Sequence, residues 1–184
     1  MTADLNQPRT LAILVDNEPG VLARVVGMFS ARGYNIESLT VAETDRAAHS
    51  SRITVVTRGD PATIDQIKSQ LDRIVAVRAV IDVTRDPGGV LRELALVKVK
   101  SAGQNRIEAL RVSEIFRAKV IDTTLESFIF EITGASDKID AFIELMRPLG
   151  LVEISRTGVL SIHRGSDTDQ GAAAPVVKAQ ATKK

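Results

Sequence analysis

Apolar positions along the chain repeat with two different periods, and the change of period marks the limits of the predicted elements. Alternating or unbroken apolar runs predict strands, whereas apolar residues three or four positions apart predict helices. Residues 9–84 show these patterns in the order strand, helix, strand, strand, helix, strand. The predicted strands cover 9–16, 34–43, 51–58 and 75–83. This order is typical of a ferredoxin-like βαββαβ fold, in which helices cover one face of an antiparallel sheet.

The two helices of this region have recognisable starting signals. Pro19 and Pro61 each stand near the start of an apolar pattern of helical period, where the missing N–H of proline costs nothing. Gly33 follows the first pattern and is a candidate for the left-handed residue that ends a helix. The predicted inward stripe consists of Val21, Leu22, Val25, Val26 and Phe29 in the first helix, and of Ile64, Ile67, Leu71 and Ile74 in the second.

A turn-rich segment at residues 85–89 separates this region from a second one with the same order of patterns. Strands are predicted at 91–100, 119–123, 127–133, 151–156 and 158–163, and helices at 105–117 and 137–146. Ile107, Leu110 and either Ile115 or Phe116 are expected to face inward from the first of these helices. We therefore predict an α+β protein with two ferredoxin-like domains, at 9–84 and 90–164, and a disordered tail at 165–184.

Composition narrows the classes of function. The charges are balanced, with 9 basic and 9 acidic side chains in residues 9–84, and aromatic residues make up only 3% of the chain. Nucleic-acid binding, which favours a basic stripe with stacking aromatics, is therefore not expected. With no cysteine and two distant histidines, no metal site is expected. No apolar run approaches the ~20 residues of a membrane span, so we expect a cytoplasmic protein without a membrane partner.

The loop between the first strand and the first helix carries the candidate chemistry. Gly20, Val21 and Leu22 are predicted to lie in the first helical turn, where backbone N–H groups lack partners and the helix dipole favours a carboxylate. Asn17 and the buried-looking Asn35 each offer an oxygen for an ammonium group and an amide donor for a carboxylate. Neutral asparagines suit a zwitterion better than a phosphate. Alternatively, Asn17 caps the helix or forms an Asx turn, and Gly20 only relieves a tight turn.

Residues 16–41, DNEPGVLARVVGMFSARGYNIESLTV, resemble the start of an ACT domain, specifically that of the regulatory small subunit of acetolactate synthase (acetohydroxyacid synthase). The segments SRITVVTRGD, LVKVKS, RVSEIFRAKVIDTT and RTGVLSIHRG resemble later parts of the same subunit. The resemblance covers roughly residues 9–165.

The resemblance implies a non-catalytic regulatory subunit. Such a subunit binds the large catalytic subunit, activates it and confers feedback inhibition by valine or another branched-chain amino acid. Thiamine diphosphate, magnesium and FAD are then expected on the large subunit and no cofactor on this chain. ACT domains pair as a homodimer with the effector between them. The implied site comprises Asn17, Gly20, Val21 and Leu22 of one protomer with Asn35 and Ile36 of its neighbour.

Two other functions stay open at this point. The chain could be a free-standing amino-acid sensor that acts on another target. It could also be a small acyl- or amino-transferring enzyme, although no dinucleotide fingerprint, P-loop or paired carboxylates support this. Ser101, Ser113 and Ser127 lack an evident histidine partner. His49 is expected to be a solvated turn residue, and Glu37 and Glu43 to be exposed or paired on the sheet.

Overall fold

The computed structural model describes residues 7–165, which form two units, each with its own sheet and hydrophobic core. In the first unit the elements are β1 (Pro8–Asp16), α1 (Val21–Ala31), β2 (Ser38–Asp45), β3 (Ser50–Arg58), α2 (Pro61–Leu71) and β4 (Val77–Asp82). Its strands lie in the order β2-β3-β1-β4, and neighbouring strands are antiparallel. The predicted ferredoxin-like order of this unit is confirmed.

The second unit repeats the arrangement. Its elements are β5 (Gly89–Lys100), α3 (Gly103–Phe116), β6 (Lys119–Thr123), β7 (Ser127–Gly134), α4 (Ser136–Met146) and β8 (Leu151–Arg156). A further short strand, β9 (Leu160–His163), begins at the last residue of this unit. The strand order is β6-β7-β5-β8, and β9 also pairs with β5. Short 3-10 turns cover Val83–Arg85 and Arg147–Leu149. The fold class is thus α+β with two ferredoxin-like sheets, as the sequence predicts.

The division between the units falls after Val90, and residues from Ser161 onward group with the first unit. The backbone N–H of Arg164 donates to the carbonyl of Gly88 at 2.9 Å, which holds the end of the described chain beside the 85–89 turn. The predicted second domain, 90–164, therefore extends past the division that the structure makes. Of the predicted tail, residues 166–184 lie outside the described residues.

The core of the first unit follows the predicted helical stripes except at Leu22, which is 38% exposed because it lies in the first turn beside the open loop. Val25 and Phe29 of α1 and Ile67 of α2 are fully buried against the sheet. The carboxylate of Asp60 accepts the N–H of Thr63 at 2.6 Å and so caps α2. Gly33 has φ +69°, as expected of a left-handed residue just beyond a helix end.

The strand after α1 begins later than predicted. Residues 34–37 form a connection, and β2 starts only at Ser38. Tyr34 donates its N–H to the carbonyl of Phe29 at 3.0 Å and packs its ring edge-on against Phe29. Because this contact turns the chain back onto the helix, Asn35 lies in the connection. The prediction that Asn35 is a buried residue at the start of a strand was wrong, since it is exposed.

Helix α3 faces the core with other residues than predicted. Ile107 is 50% exposed and Ile115 is 76% exposed, whereas Ala109, Val112 and Ser113 are buried. Leu110 and Phe116 pack on the core, as predicted. Small residues dominate the buried stripe of α3. The prediction from large apolar residues that Ile107 faces inward was therefore wrong. In α4, by contrast, all four predicted inward residues are buried: Ile139, Phe142, Ile143 and Met146.

Candidate functional site

The loop between β1 and α1 ends in a backbone conformation that only glycine adopts readily. Gly20 is the N-cap of α1 and has φ +80° and ψ 0°. No side chain caps the helix. A Cβ built on Gly20 would meet no atom within 4 Å, so the space above the loop is open. The positive φ explains the glycine, and the open space leaves room for a ligand at the helix N-terminus.

Three backbone hydrogen bonds fix this loop. Asn17 donates its N–H to the carbonyl of His49 at 2.7 Å, and Glu18 donates to Asp16 at 2.8 Å. Val21 donates to the carbonyl of Glu18 at 3.2 Å. The expectation that Val21 offers a free N–H is therefore wrong, because the turn itself uses that donor. The N–H groups of Gly20 and Leu22 have no acceptor within the described part of the chain.

The side chain of Asn17 does not cap α1. Its Nδ2 atom instead donates to Oε1 of Glu43 on β2, at 3.4 Å. Glu43 was expected only to be exposed or paired on the sheet, and the structure adds it to the surroundings of the loop. Strand alternation gives the reason, because Leu39, Val41 and Glu43 share one face of β2. His49, in the turn between β2 and β3, is exposed as expected and contributes its backbone carbonyl.

Asn35 and Ile36 lie at the other end of α1. The helix has 11 residues, so its ends are roughly 16 Å apart. The carbonyl of Asn35 accepts the hydroxyl of Thr57 at 2.6 Å, and the side chain of Ile36 packs on the core of the first unit. Within one chain, the structure therefore does not bring Asn35 and Ile36 together with Asn17 and Gly20.

An apolar strip adjoins the loop. Arg32 donates to the side chain of Gln70 at 2.8 Å, so that side of α1 faces α2. Leu22 lies in the first turn of α1, directly after the loop. Leu22 is 38% exposed and Val41 of β2 is 44% exposed. A ligand at the loop would thus have donors at the helix end and aliphatic side chains beside it.

The charged side chains near the loop are mostly paired. Arg24 reaches back from α1 to the carboxylate of Glu18 at 3.3 Å and to the carbonyl of Pro19 at 3.5 Å. Asp16, at the end of β1, forms an ion pair with Arg78 of β4. These pairs leave the backbone donors of the helix end as the main positive feature of the loop.

A buried ion pair in the second unit was not foreseen from the sequence. Glu93 of β5 is 4% exposed and accepts two hydrogen bonds from Arg156 of β8, at 2.6 and 2.7 Å. Ser136 donates to the same carboxylate at 3.0 Å, and Arg156 also binds Asp140 at 2.6 Å. The hydrogen bonds from Arg156 lower the pKa of Glu93, and Glu93 in turn raises the pKa of Arg156. The cluster thus connects β5, β8 and α4 of the second unit.

The second unit also has an open depression of about 590 Å³. Two lysines line it, and each is paired: Lys98 with Glu153 at 3.4 Å and Lys100 with Glu126 at 3.2 Å. Across residues 7–165, no three His, Cys, Asp or Glu side chains converge as metal ligands. Within that same range, no helix is long and apolar enough to cross a membrane.

Taken with the βαββαβ sheet, the glycine-led and uncapped helix end defines the first unit as an ACT domain. Residues 11–79 match the family described as the AHAS small subunit-like ACT domain. Residues 92–165 match the family described as the small subunit of acetolactate synthase. The chain belongs to the acetolactate synthase small-subunit family.

The match with curated relatives covers nearly the whole length of each relative. The isozyme 3 small subunits of acetolactate synthase from Salmonella typhimurium and Escherichia coli are each 44% identical over 158 residues. Each match covers 85% of this chain and 96% of the relative. The crystal structure of the acetolactate synthase small subunit from Thermotoga maritima superposes with a TM-score of 0.78 at 38% identity. That match covers 88% of this chain and 99% of that one.

Proposed function

We propose that this chain is the regulatory subunit of a cytoplasmic acetolactate synthase. It binds and activates the large catalytic subunit, and it confers feedback inhibition by L-valine or another branched-chain amino acid. Membership of the small-subunit family supports the pairing with a larger chain, on which thiamine diphosphate, magnesium and FAD are bound. The feature that carries the effector assignment is the pair of unused N–H groups at Gly20 and Leu22, in open space beside edge strand β2.

The chemistry of the loop matches a small aliphatic amino acid. The effector carboxylate binds the N–H groups at the start of α1, where the helix dipole adds partial positive charge. Asn17 contributes a polar side chain at the other end of the loop. Leu22 and Val41 supply aliphatic surface for a branched side chain, and both are partly exposed in the single chain.

The position of β2 explains how two protomers complete one site. Among the described strands, β2 pairs with β3 alone, so it is an edge strand and a template for pairing with a second copy. Its Ser38 end adjoins Asn35 and Ile36, and its Asp45 end adjoins the loop, because His49 binds Asn17. Antiparallel pairing of two β2 strands sets Asn35 and Ile36 of one protomer near Asn17 and Gly20 of its partner.

Feedback inhibition then follows from linkage. An effector bound between two protomers stabilises the dimer arrangement that it fits best, and the catalytic subunit prefers another arrangement. Coupling requires only unequal binding to the two states, and typical allosteric couplings are ~1–3 kcal/mol.

Calorimetric titration with L-valine tests the effector assignment, with L-leucine, L-isoleucine and D-valine as comparisons. We expect saturable binding that prefers the L-branched ligands and is lost in Asn17→Ala. Absence of binding to all four would indicate that residues 17–20 form a purely structural turn. Mixing with the catalytic subunit tests the partner, since a free-standing sensor would neither form a complex with it nor raise its activity.

A further inference from the structure

Glu43 lies where edge strand β2 meets the loop. In the sheet register, Glu43 is opposite Ser51 of β3, and Ser51 is opposite Val15 of β1. The three residues form one row across the sheet, immediately before the loop that starts at Asn17. Glu43 shares its face with Leu39, which packs on the core under the helices. Its carboxylate therefore lies on the helix side of the sheet, next to the helix end.

The contact with Glu43 uses one of the two N–H donors of the Asn17 amide. Nδ2 of Asn17 donates to Oε1 of Glu43, at 3.4 Å. Because the amide is planar, its Oδ1 atom points away from Glu43 and remains an acceptor. Asn17 thus keeps its Oδ1 acceptor and its second N–H, and the negative charge of Glu43 lies directly beside the amide. The two side chains together form an acceptor pair that favours a cation.

The other neighbour of Glu43 does not compensate this charge strongly. Nε of Arg46 lies 3.3 Å from Oε2 of Glu43, and the Arg46 side chain is 92% exposed. Exposed ion pairs of this kind contribute little and are screened by salt. The carboxylate keeps the capacity to bind a second cation beside Asn17.

The loop consequently has two poles of opposite sign. The N–H groups of Gly20 and Leu22 form a donor pole, and Asn17 with Glu43 forms an acceptor pole. An α-amino acid carries its carboxylate and its ammonium group on one carbon atom, so it matches a short loop with both poles. A simple carboxylate matches only the donor pole.

We propose that Glu43 recognises the ammonium group of the amino-acid effector and orients the Asn17 amide for the same contact. Glu43 is then the residue that distinguishes an amino acid from the corresponding carboxylic acid. This inference rests on the proposed effector function and adds its selectivity for the amine.

Calorimetric titration of the full chain with L-valine and with 3-methylbutanoate, which is valine without its amine, tests the proposal. Wild type should prefer L-valine, and Glu43→Gln should reduce that preference about tenfold, as expected for loss of a hydrogen bond to a charged group. Glu43→Asp should retain part of it. Glu108→Gln removes the same charge from α3 of the second unit, where Glu108 pairs with Arg111 at 3.6 Å, and should leave both affinities unchanged.

The outcomes separate this inference from the function on which it rests. Equal weakening of both ligands by Glu43→Gln, or no change in the preference, would overturn the role of Glu43 alone. Failure of wild type to bind L-valine would overturn the effector function itself. Thermal unfolding of each variant shows whether the substitution has disturbed the fold.

Discussion

Arg156 of β8 holds Glu93 of β5 through two hydrogen bonds, at 2.6 and 2.7 Å, and the carboxylate is almost completely buried. The pair joins two neighbouring strands, and Ser136 and Asp140 extend it to α4. Bidentate pairs of arginine and carboxylate are strong and directional, so this cluster fixes how β8 and α4 lie against β5.

The first prediction concerns the pH dependence of this cluster. The pKa of Glu93 is lowered in the folded protein, so its contribution to stability is complete above the unfolded value of 4.5 and is lost as pH falls through the folded pKa. Glu93→Gln should lower the free energy of unfolding by ~2 kcal/mol at pH 7, and this deficit should shrink below about pH 4.5.

Thermal unfolding between pH 7 and pH 3 measures this deficit. Glu126→Gln, at an exposed glutamate of the same unit, should follow the wild-type profile throughout. A stability deficit of Glu93→Gln that stays constant from pH 7 to pH 3 would contradict the proposed contribution of the ionised Glu93.

The second prediction concerns Gly20. Gly20→Asp should raise the valine concentration for half-inhibition of the reconstituted enzyme at least about tenfold, because a carboxylate then occupies the position of the effector's own. Activation of the catalytic subunit should persist. Gly20→Ala is the control, since it imposes backbone strain at φ +80°, about 1 kcal/mol and no less than that of Asp, without the charge. Equal loss of inhibition in both variants would point to strain instead.

The third prediction compares one substitution at two helical positions of the second unit. Ile139→Ala removes a fully buried side chain of α4 and should cost about 3 kcal/mol of unfolding free energy. Ile107→Ala, on the exposed side of α3, should change it by less than about 0.5 kcal/mol. Denaturant unfolding measures both, and a large loss at Ile107 would contradict the observed orientation of α3.

The fourth prediction concerns dimer formation through β2. Val41→Lys adds a charge to the partly exposed apolar face of this edge strand and should weaken self-association at least about tenfold. L-valine binding should weaken with it. Val152→Lys makes the same change at an exposed valine of β8 and serves as the control. Analytical ultracentrifugation measures the self-association of both variants. Dissociation of the control variant alone would contradict an interface through β2.

Large apolar residues form the buried stripes of α1, α2 and α4, so these stripes could be predicted except at Leu22, which is exposed. Helix α3 differs, since Ala109 and Ser113 are buried while Ile107 is exposed. Size and polarity favour the opposite assignment, and only the packing partner determines which side faces inward. A stripe of small residues carries too weak a periodic signal to outweigh two isoleucines.

The candidate site was predictable as far as local chain geometry determines it. The helix start after Pro19 follows from neighbouring residues, whereas Gly20 is the left-handed N-cap and not part of the first turn as predicted. Glu43 and His49 approach the loop only through the strand pairing of β1, β2 and β3, so no local pattern indicates them. The Val21 donor is used inside the turn at Glu18, a detail of backbone geometry that residue types do not reveal.

The hydrogen bond from Asn17 to the carbonyl of His49 has a consequence for changes in chain length. The turn after β2 is polar and exposed, which is where insertions and deletions are usually tolerated. Here, one added or deleted residue would displace the carbonyl that holds Asn17 in place. We therefore expect length variation in this hairpin to impair effector binding while the remainder of the first unit still folds.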